Sequence, residues 1–281
     1  RLCTVALETE GSLRKGFGMK KKLYVVEGTP CSGKSTTGHY VAELTGAVYV
    51  DEGSGEHPAD YEFHAYLKPE ELDGFLEEEK AQILEKGERK AGGIVCSLAA
   101  FEGVLFDKLL QHKIYDFLPW EMERPVMLAR WKEFAEKVLK EENNTYVLNC
   151  VLLQNPMCET MFRFDFTEQE SEAYIREICQ TLEGIEVTVI YLKSSEIEQN
   201  VRRALPERGE EWLNAVIDYH VNSAYGRRKK LEGFEGYIRA LEDRQERELR
   251  ILERLPVRAM VIDNPSQDWE KAYELIKKGT A

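Results

Sequence analysis

The run YVVEGTPCSGKSTTGHYVAEL, Tyr24–Leu44, governs how the rest of the chain is read. KLYVVEG, Lys22–Gly28, is a short apolar, β-branched stretch closed by glycine, the pattern of a buried strand. Ser35–Leu44 reads as a helix, with Thr36, Tyr40, Val41 and Leu44 spaced for burial. Between them lies G-x-x-x-x-G-K-S, Gly28–Ser35. Its glycines allow a tight turn in which successive N–H groups converge on phosphate oxygens, and the helix adds its positive end. Gly28, Thr29, Pro30, Cys31, Ser32, Gly33, Lys34, Ser35 and Thr36 are the expected phosphate-binding segment. Lys34 suits the β- and γ-phosphates of a nucleotide, and Ser35 can place its hydroxyl on Mg²⁺.

Four further apolar runs follow: AVYVDEG (Ala47–Gly53), TYVLNCVLL (Thr145–Leu153), IEVTVIYL (Ile185–Leu192) and VRAMVID (Val257–Asp263). Helical patterns separate them, which points to a five-stranded parallel sheet covered on both faces, a three-layer α/β/α architecture. No internal repeat or low-complexity linker appears. One domain over residues 19–281 is expected, with helical excursions at 53–144 and 194–256. Residues 1–18 lack the apolar core of a secretory signal, and Met19 opens the better-organised sequence. An upstream read-through or expression segment without function is expected there.

The formal net charge of −13 argues against non-specific binding to nucleic acid or anionic membrane. A local basic pocket can still hold a small anion. Cys3, Cys31, Cys96, Cys150, Cys158 and Cys179 show no C-x-x-C pair, so reduced thiols and a cytoplasmic setting are expected. No apolar run approaches the ~20 residues that span a bilayer. His57 and His64 have no partner set resembling a zinc site, and no structural zinc is expected.

VVEGTPCSGKSTT resembles the first strand and loop of thymidylate and deoxynucleoside kinases, where an acid likewise precedes the first glycine. More broadly the chain is similar to the P-loop small-molecule kinases, whose succession of strands along the chain its five runs follow. That resemblance implies ATP as phosphoryl donor, Mg²⁺, a small-molecule acceptor, a helical acceptor-binding insert at 53–144 and a helical lid within 194–256. A homodimer is left open.

The same resemblance, extended to shikimate and chloramphenicol kinases, implies roles for the acids after the second strand. Asp51 is the first choice for the base that acts on the acceptor hydroxyl and for metal support, and Glu52 the second. The plainer reading is two strand-end acids facing water. The third strand carries Asn149 where many NTPases have an acid that supports Mg²⁺. Deoxynucleoside kinases have an acid–arginine pair hereabouts, which Asn149-Cys150 does not match. Gln154 and Asn155 either read a substrate or cap the strand end.

After the fourth strand, Arg202, Arg203 and Arg208 lie where such kinases carry lid arginines that offset charge on the transferred group. Surface pairing with Glu198, Glu207 and Glu210 is the alternative. Arg227–Lys230 and the late helix GYIRALEDRQERELRILERL read as solvated faces, the latter over Leu241, Leu249 and Leu252 with pairs Asp243–Arg247 and Glu246–Arg250. The first excursion is aromatic: Tyr61, Phe63, Tyr66, Tyr115, Phe117, Trp120 and Trp131 serve either a planar acceptor, Trp120 first, or helix packing. The expectation is an ATP-dependent kinase of a nucleoside or nucleotide, with an antibiotic or sugar-like alcohol next. Its rivals are an ATPase switch acting on a partner protein and an ATP-binding sequestering protein.

Overall fold

A computed structural model describes residues 21–53, 55, 57–141, 145–264 and 268–280. The expectations for residues 1–18, Met19 and Cys3 lie outside the described residues. The chain divides into two compact units, one formed by residues up to Glu52 and from Val138 onward, the other by Gly53–Lys137.

In the first unit, strands β1 (Lys21–Gly28), β2 (Val48–Val50), β6 (Tyr146–Asn149), β7 (Ile185–Lys193) and β8 (Arg258–Asp263) form one sheet in the order β2-β6-β1-β7-β8. Every pairing is parallel. Leu23 lies opposite Tyr146 and Val26 opposite Asn149. Gly28 lies opposite Leu192, and Val50 opposite Leu148. This register brings the carboxyl ends of β1, β2 and β6 to one edge, where open α/β sheets bind ligands. β6 separates β2 from β1, so Asp51 stands one strand further from the loop than a direct β1–β2 neighbour would.

Tyr24, Val26, Ile190 and Leu192 pack with α1 (Lys34–Thr45) and α11 (Trp269–Thr280). Tyr191, alternating with them, faces the other way and bonds Glu248 of α10 (Gly233–Leu252). That alternation is the period of two of a strand covered on both sides. The third apolar run stops being a strand at Asn149, because Cys150 adopts φ 52° and the chain turns into α5 (Gln154–Met157). On α1 the buried positions are Lys34, Thr37, Gly38, Val41 and Ala42, while Thr36 and Leu44 are exposed. The helix therefore buries a face rotated from the expected one, leaving Ser35 and Thr36 turned outward.

The segment expected to be helical, 53–144, also contains strands. β3 (His64–Leu67), β4 (Glu88–Lys90) and β5 (Gly93–Ser97) form an antiparallel sheet in the order β3-β5-β4. Its core includes Ala65, Leu67, Ile83, Ile94, Cys96, Leu98 and Leu109, with α2 (Glu77–Lys86) and α3 (Gly103–Leu110) packed on it. Helix α4 (Trp120–Lys140) follows. Among the described residues no helix is long and apolar enough to cross a membrane.

Candidate active site

The loop after β1 keeps its shape through its two glycines. Gly28 has φ 145° and Gly33 φ 89°. A Cβ at Gly28 would come within 2.6 Å of the Leu192 carbonyl, and one at Gly33 would overlap the Trp269 ring. Helix α1 begins at Lys34 directly after the second glycine, which aims its first N–H groups at the loop's concavity. Pro30 has no N–H and contributes shape alone. Lys34 is buried, and its Nζ donates to the Thr29 carbonyl at 3.0 Å. The Thr29 and Ser32 hydroxyls are buried and make no hydrogen bond within the chain. The loop thus holds polar atoms whose partners must come from elsewhere.

Beside it, three residues from three elements meet. Asn149 Nδ2, at the end of β6, donates to Asp51 Oδ1 at 2.8 Å and lies 3.3 Å from Ser35 Oγ. Asp51 Oδ1 also accepts from the Tyr49 hydroxyl at 2.8 Å and the Glu52 N–H at 3.0 Å. Burial works against the Asp51 charge, but the Asn149 amide, the Tyr49 hydroxyl and the Glu52 N–H together hold its pKa below the ordinary aspartate value. Asn149 Oδ1 is buried with no partner in the chain. Glu52 is exposed, and its Oε1 accepts from Gln154 Nε2 at 3.2 Å. Asn155 is buried on α5 next to Gln154.

Beneath the loop lies a charged network. Glu27, fully buried, accepts from the N–H groups of Leu152 and Leu153 at 2.8 Å and of Gln154 at 3.1 Å. It fixes the turn after β6 to the end of β1. Burial, then Glu248, push its pKa up to about 7 against those three N–H bonds. Arg244, on α10, is 1% exposed, donates to the Gly28 carbonyl at 3.3 Å and lies 3.2 Å from Glu248. Glu248 in turn accepts from Tyr191 at 2.5 Å. A buried arginine on a loop carbonyl costs desolvation, which its carboxylate partner offsets.

The expected lid arginines separate. Arg202 pairs with Glu198 at 2.8 Å, lies over the Phe234 ring and is exposed. For it, the ion-pair alternative describes the geometry. Arg203 reaches Asn200 at 3.4 Å. Arg208, at the end of α7 (Ile197–Arg208), lies over the Trp212 ring at 5.6 Å. Burial pushes the Cys31 thiol up, and Arg208, then Lys34, pull it back. The later basic cluster is exposed, as expected of a solvated face, and Arg228 in it bonds Asp165 through two nitrogens. The late helix buries Arg244, Gln245 and Glu248 beside its apolar residues. Asp243 pairs with Arg239 at 2.9 Å rather than with Arg247, whereas Glu246–Arg250 does form, at 3.6 Å. Trp120 is half-buried in the first turn of α4, within the second unit. There Tyr61, Tyr66 and Trp131 are core, and Phe63 and Phe117 are exposed.

Among the described residues no three His, Cys, Asp or Glu side chains converge as a metal cage. One hydroxyl and one ionised carboxylate linked by an amide suit Mg²⁺, which keeps several waters and takes ligand phosphates as its other partners. The unpartnered loop hydroxyls and the uncovered helix end likewise suit a polyphosphate.

Sheet, loop and lysine together define a phosphate-loop α/β fold. No family model matches the chain, and no curated protein is similar to it in sequence. Solved structures that match its backbone include three kinases. Deoxyadenosine kinase from M. mycoides is 15% identical, with TM-score 0.42, over 92% of this chain and 97% of that one. Thymidylate kinase from Candida albicans is 11% identical, with TM-score 0.43, over 93% of each chain. A gluconokinase from Sinorhizobium meliloti 1021 is 13% identical, with TM-score 0.35, over 92% of this chain and 91% of that one.

Proposed function

We propose that the chain is an ATP-dependent phosphotransferase that moves the γ-phosphoryl group to a hydroxyl or phosphate of a small molecule, with a nucleoside or nucleotide as first acceptor class and an antibiotic or sugar-like alcohol next. The observation that carries this reading is the Ser35–Asn149–Asp51 cluster, an ionised carboxylate tied to the first hydroxyl after the loop lysine. An ATPase could use the same carboxylate for Mg²⁺, so dependence on an acceptor is what separates the two readings.

In this reading the loop N–H groups and Lys34 hold the phosphates, with Lys34 exchanging the Thr29 carbonyl for phosphate oxygen. Ser35 and Asp51 would hold Mg²⁺, which when bound would supply positive charge against the phosphates. The acceptor oxygen attacks the γ-phosphorus, the bond to the β–γ bridging oxygen breaks and ADP leaves. Asp51, ionised, orients the acceptor hydroxyl and takes its proton late, as the bond to phosphorus forms, before releasing it to solvent. The loose transition state of phosphoryl transfer asks for no more. Arg208 offsets the spreading charge. Gln154 and Asn155 read the acceptor, and acceptor binding by Trp120 and the 53–144 segment belongs to the same proposal.

The test is ADP release across a panel of nucleosides, nucleotides, antibiotics and sugars, with Lys34→Ala and Asp51→Asn alongside. Release should depend on one acceptor class and vanish in Lys34→Ala. In Asp51→Asn it should fall by roughly 10²-fold with nucleotide binding kept. Release indifferent to every acceptor would sink the transferase reading.

A further inference from the structure

The hydrogen bonds to the Asp51 carboxylate all end on one oxygen. Asn149 Nδ2, the Tyr49 hydroxyl and the Glu52 N–H each donate to Oδ1, at 2.8, 2.8 and 3.0 Å. Oδ2 accepts none among the described residues, and Asp51 is only half-buried. A carboxylate accepts on both oxygens. The chain thus fills one of them and leaves the other to whatever enters the site.

Tyr49 and Asp51 stand two apart at the end of β2, so their side chains leave the strand on the same side. The tyrosine ring is held from the helix side. A Cβ at Gly38 on α1 would come within 2.4 Å of that ring, and His39 lies against it, tilted, with ring centres 4.1 Å apart. Glycine weakens a helix interior, and here its bare Cα makes the gap that admits the ring. Burial, then the bond to Asp51, push the Tyr49 hydroxyl well above its ordinary pKa. It therefore stays protonated and serves the carboxylate as a donor.

We infer that Tyr49 is a positioning residue for phosphoryl transfer: its hydroxyl pins Oδ1 of Asp51 and presents Oδ2 to the acceptor hydroxyl. With one oxygen tied down, the carboxylate cannot turn freely, and its working oxygen is in place before the acceptor arrives. Phosphoryl transfer draws mainly on such positioning. The role given to Oδ2 rests on the transferase reading above, whereas the pinning of Oδ1 does not.

The test is Tyr49→Phe in the full chain, which keeps the ring against Gly38 and His39 and removes only the hydroxyl. The kcat of acceptor-dependent ADP release should fall about tenfold or more, the loss of one hydrogen bond to a charged group. The KM for ATP should stay within about twofold, since the interaction is not one that binds nucleotide. In an Asp51→Asn background the same substitution should change release by less than about twofold, because it acts through the carboxylate. A second measurement needs no turnover. The Asp51 carboxyl carbon, labelled with carbon-13 and assigned by Asp51→Asn, should titrate about half a pH unit or more higher in Tyr49→Phe, since the lost donor favoured the charged form. The other titratable neighbours, His39 on α1 and the adjacent Glu52, are the same in both proteins. Unchanged kcat, a loss seen in KM alone, an equal loss in the Asp51→Asn background or an unmoved midpoint each overturn the inference. If the wild type shows no acceptor-dependent release, the transferase reading fails instead, and the midpoint alone decides whether Tyr49 holds Asp51.

Discussion

Asn149 donates to the Asp51 carboxylate at 2.8 Å and lies 3.3 Å from the Ser35 hydroxyl. A neutral amide thus occupies the strand-end position where a second acid would repel Asp51. Asn149→Asp would put two carboxylates in contact, and one of them would be forced to hold a proton or a cation. Without Mg²⁺ the variant should lose about 1–3 kcal/mol of stability at neutral pH. Millimolar Mg²⁺ should restore its melting temperature by more than it shifts the wild type. Melting curves with and without Mg²⁺ that superimpose for both proteins would count against this linkage.

Arg208 and Arg202 sit on one helix but face different partners. Arg208→Ala should lower phosphoryl transfer by roughly 10²-fold, the scale for removing one preorganised charge from a transition state. Arg202→Ala breaks an exposed pair with Glu198, whose worth is about 0–1 kcal/mol, and should leave turnover within about twofold. Steady-state rates of the two variants decide it, and equal losses would remove Arg208 from the site.

Glu27 gives a pH signature. Its folded pKa of about 7 lies above the ordinary 4.5, so between these values the folded chain holds a proton that the unfolded chain has released. The stabilisation is fully present below 4.5 and is lost as pH rises through about 7. Glu248, also raised, acts in the same direction. Urea midpoints should therefore fall from about pH 5 to about pH 8, and Glu27→Gln should flatten that slope even where it lowers the overall stability. A wild-type midpoint that rises over this interval would contradict the assignment.

Much of the first unit was legible because its signals are local. Five apolar runs became five parallel strands, and the loop's glycines and lysine lie together in sequence as in space. The antiparallel sheet of the second unit was not legible. Its strands are short and β4 is the charged triplet Glu88–Lys90, so its pairing depends on partners rather than on its own pattern. The signal that could have found it is Ala91-Gly92, a two-residue hairpin turn with φ 51° and 78° between Lys90 and Gly93. Arg244 was hidden differently. Tyr237, Leu241, Arg244, Glu248 and Ile251 continue one buried stripe at helical spacing. Reading only apolar residues as inward breaks that stripe where the fold buries a charged pair. Asn149 stood out in the sequence, but its bond to Asp51 requires β6 to lie between β1 and β2, an order the sequence does not encode locally.

Trp269, on α11, packs its indole into the space that Gly33 leaves open beside the phosphate loop. The loop is therefore finished by a residue far downstream of it, and during synthesis the segment from Tyr24 to Ser35 would emerge long before its final wall. Nucleotide affinity in a nascent chain should appear only once α11 has docked. The same indole makes the completed loop optically self-reporting, since any ligand that displaces it changes the fluorescence of a tryptophan already in place.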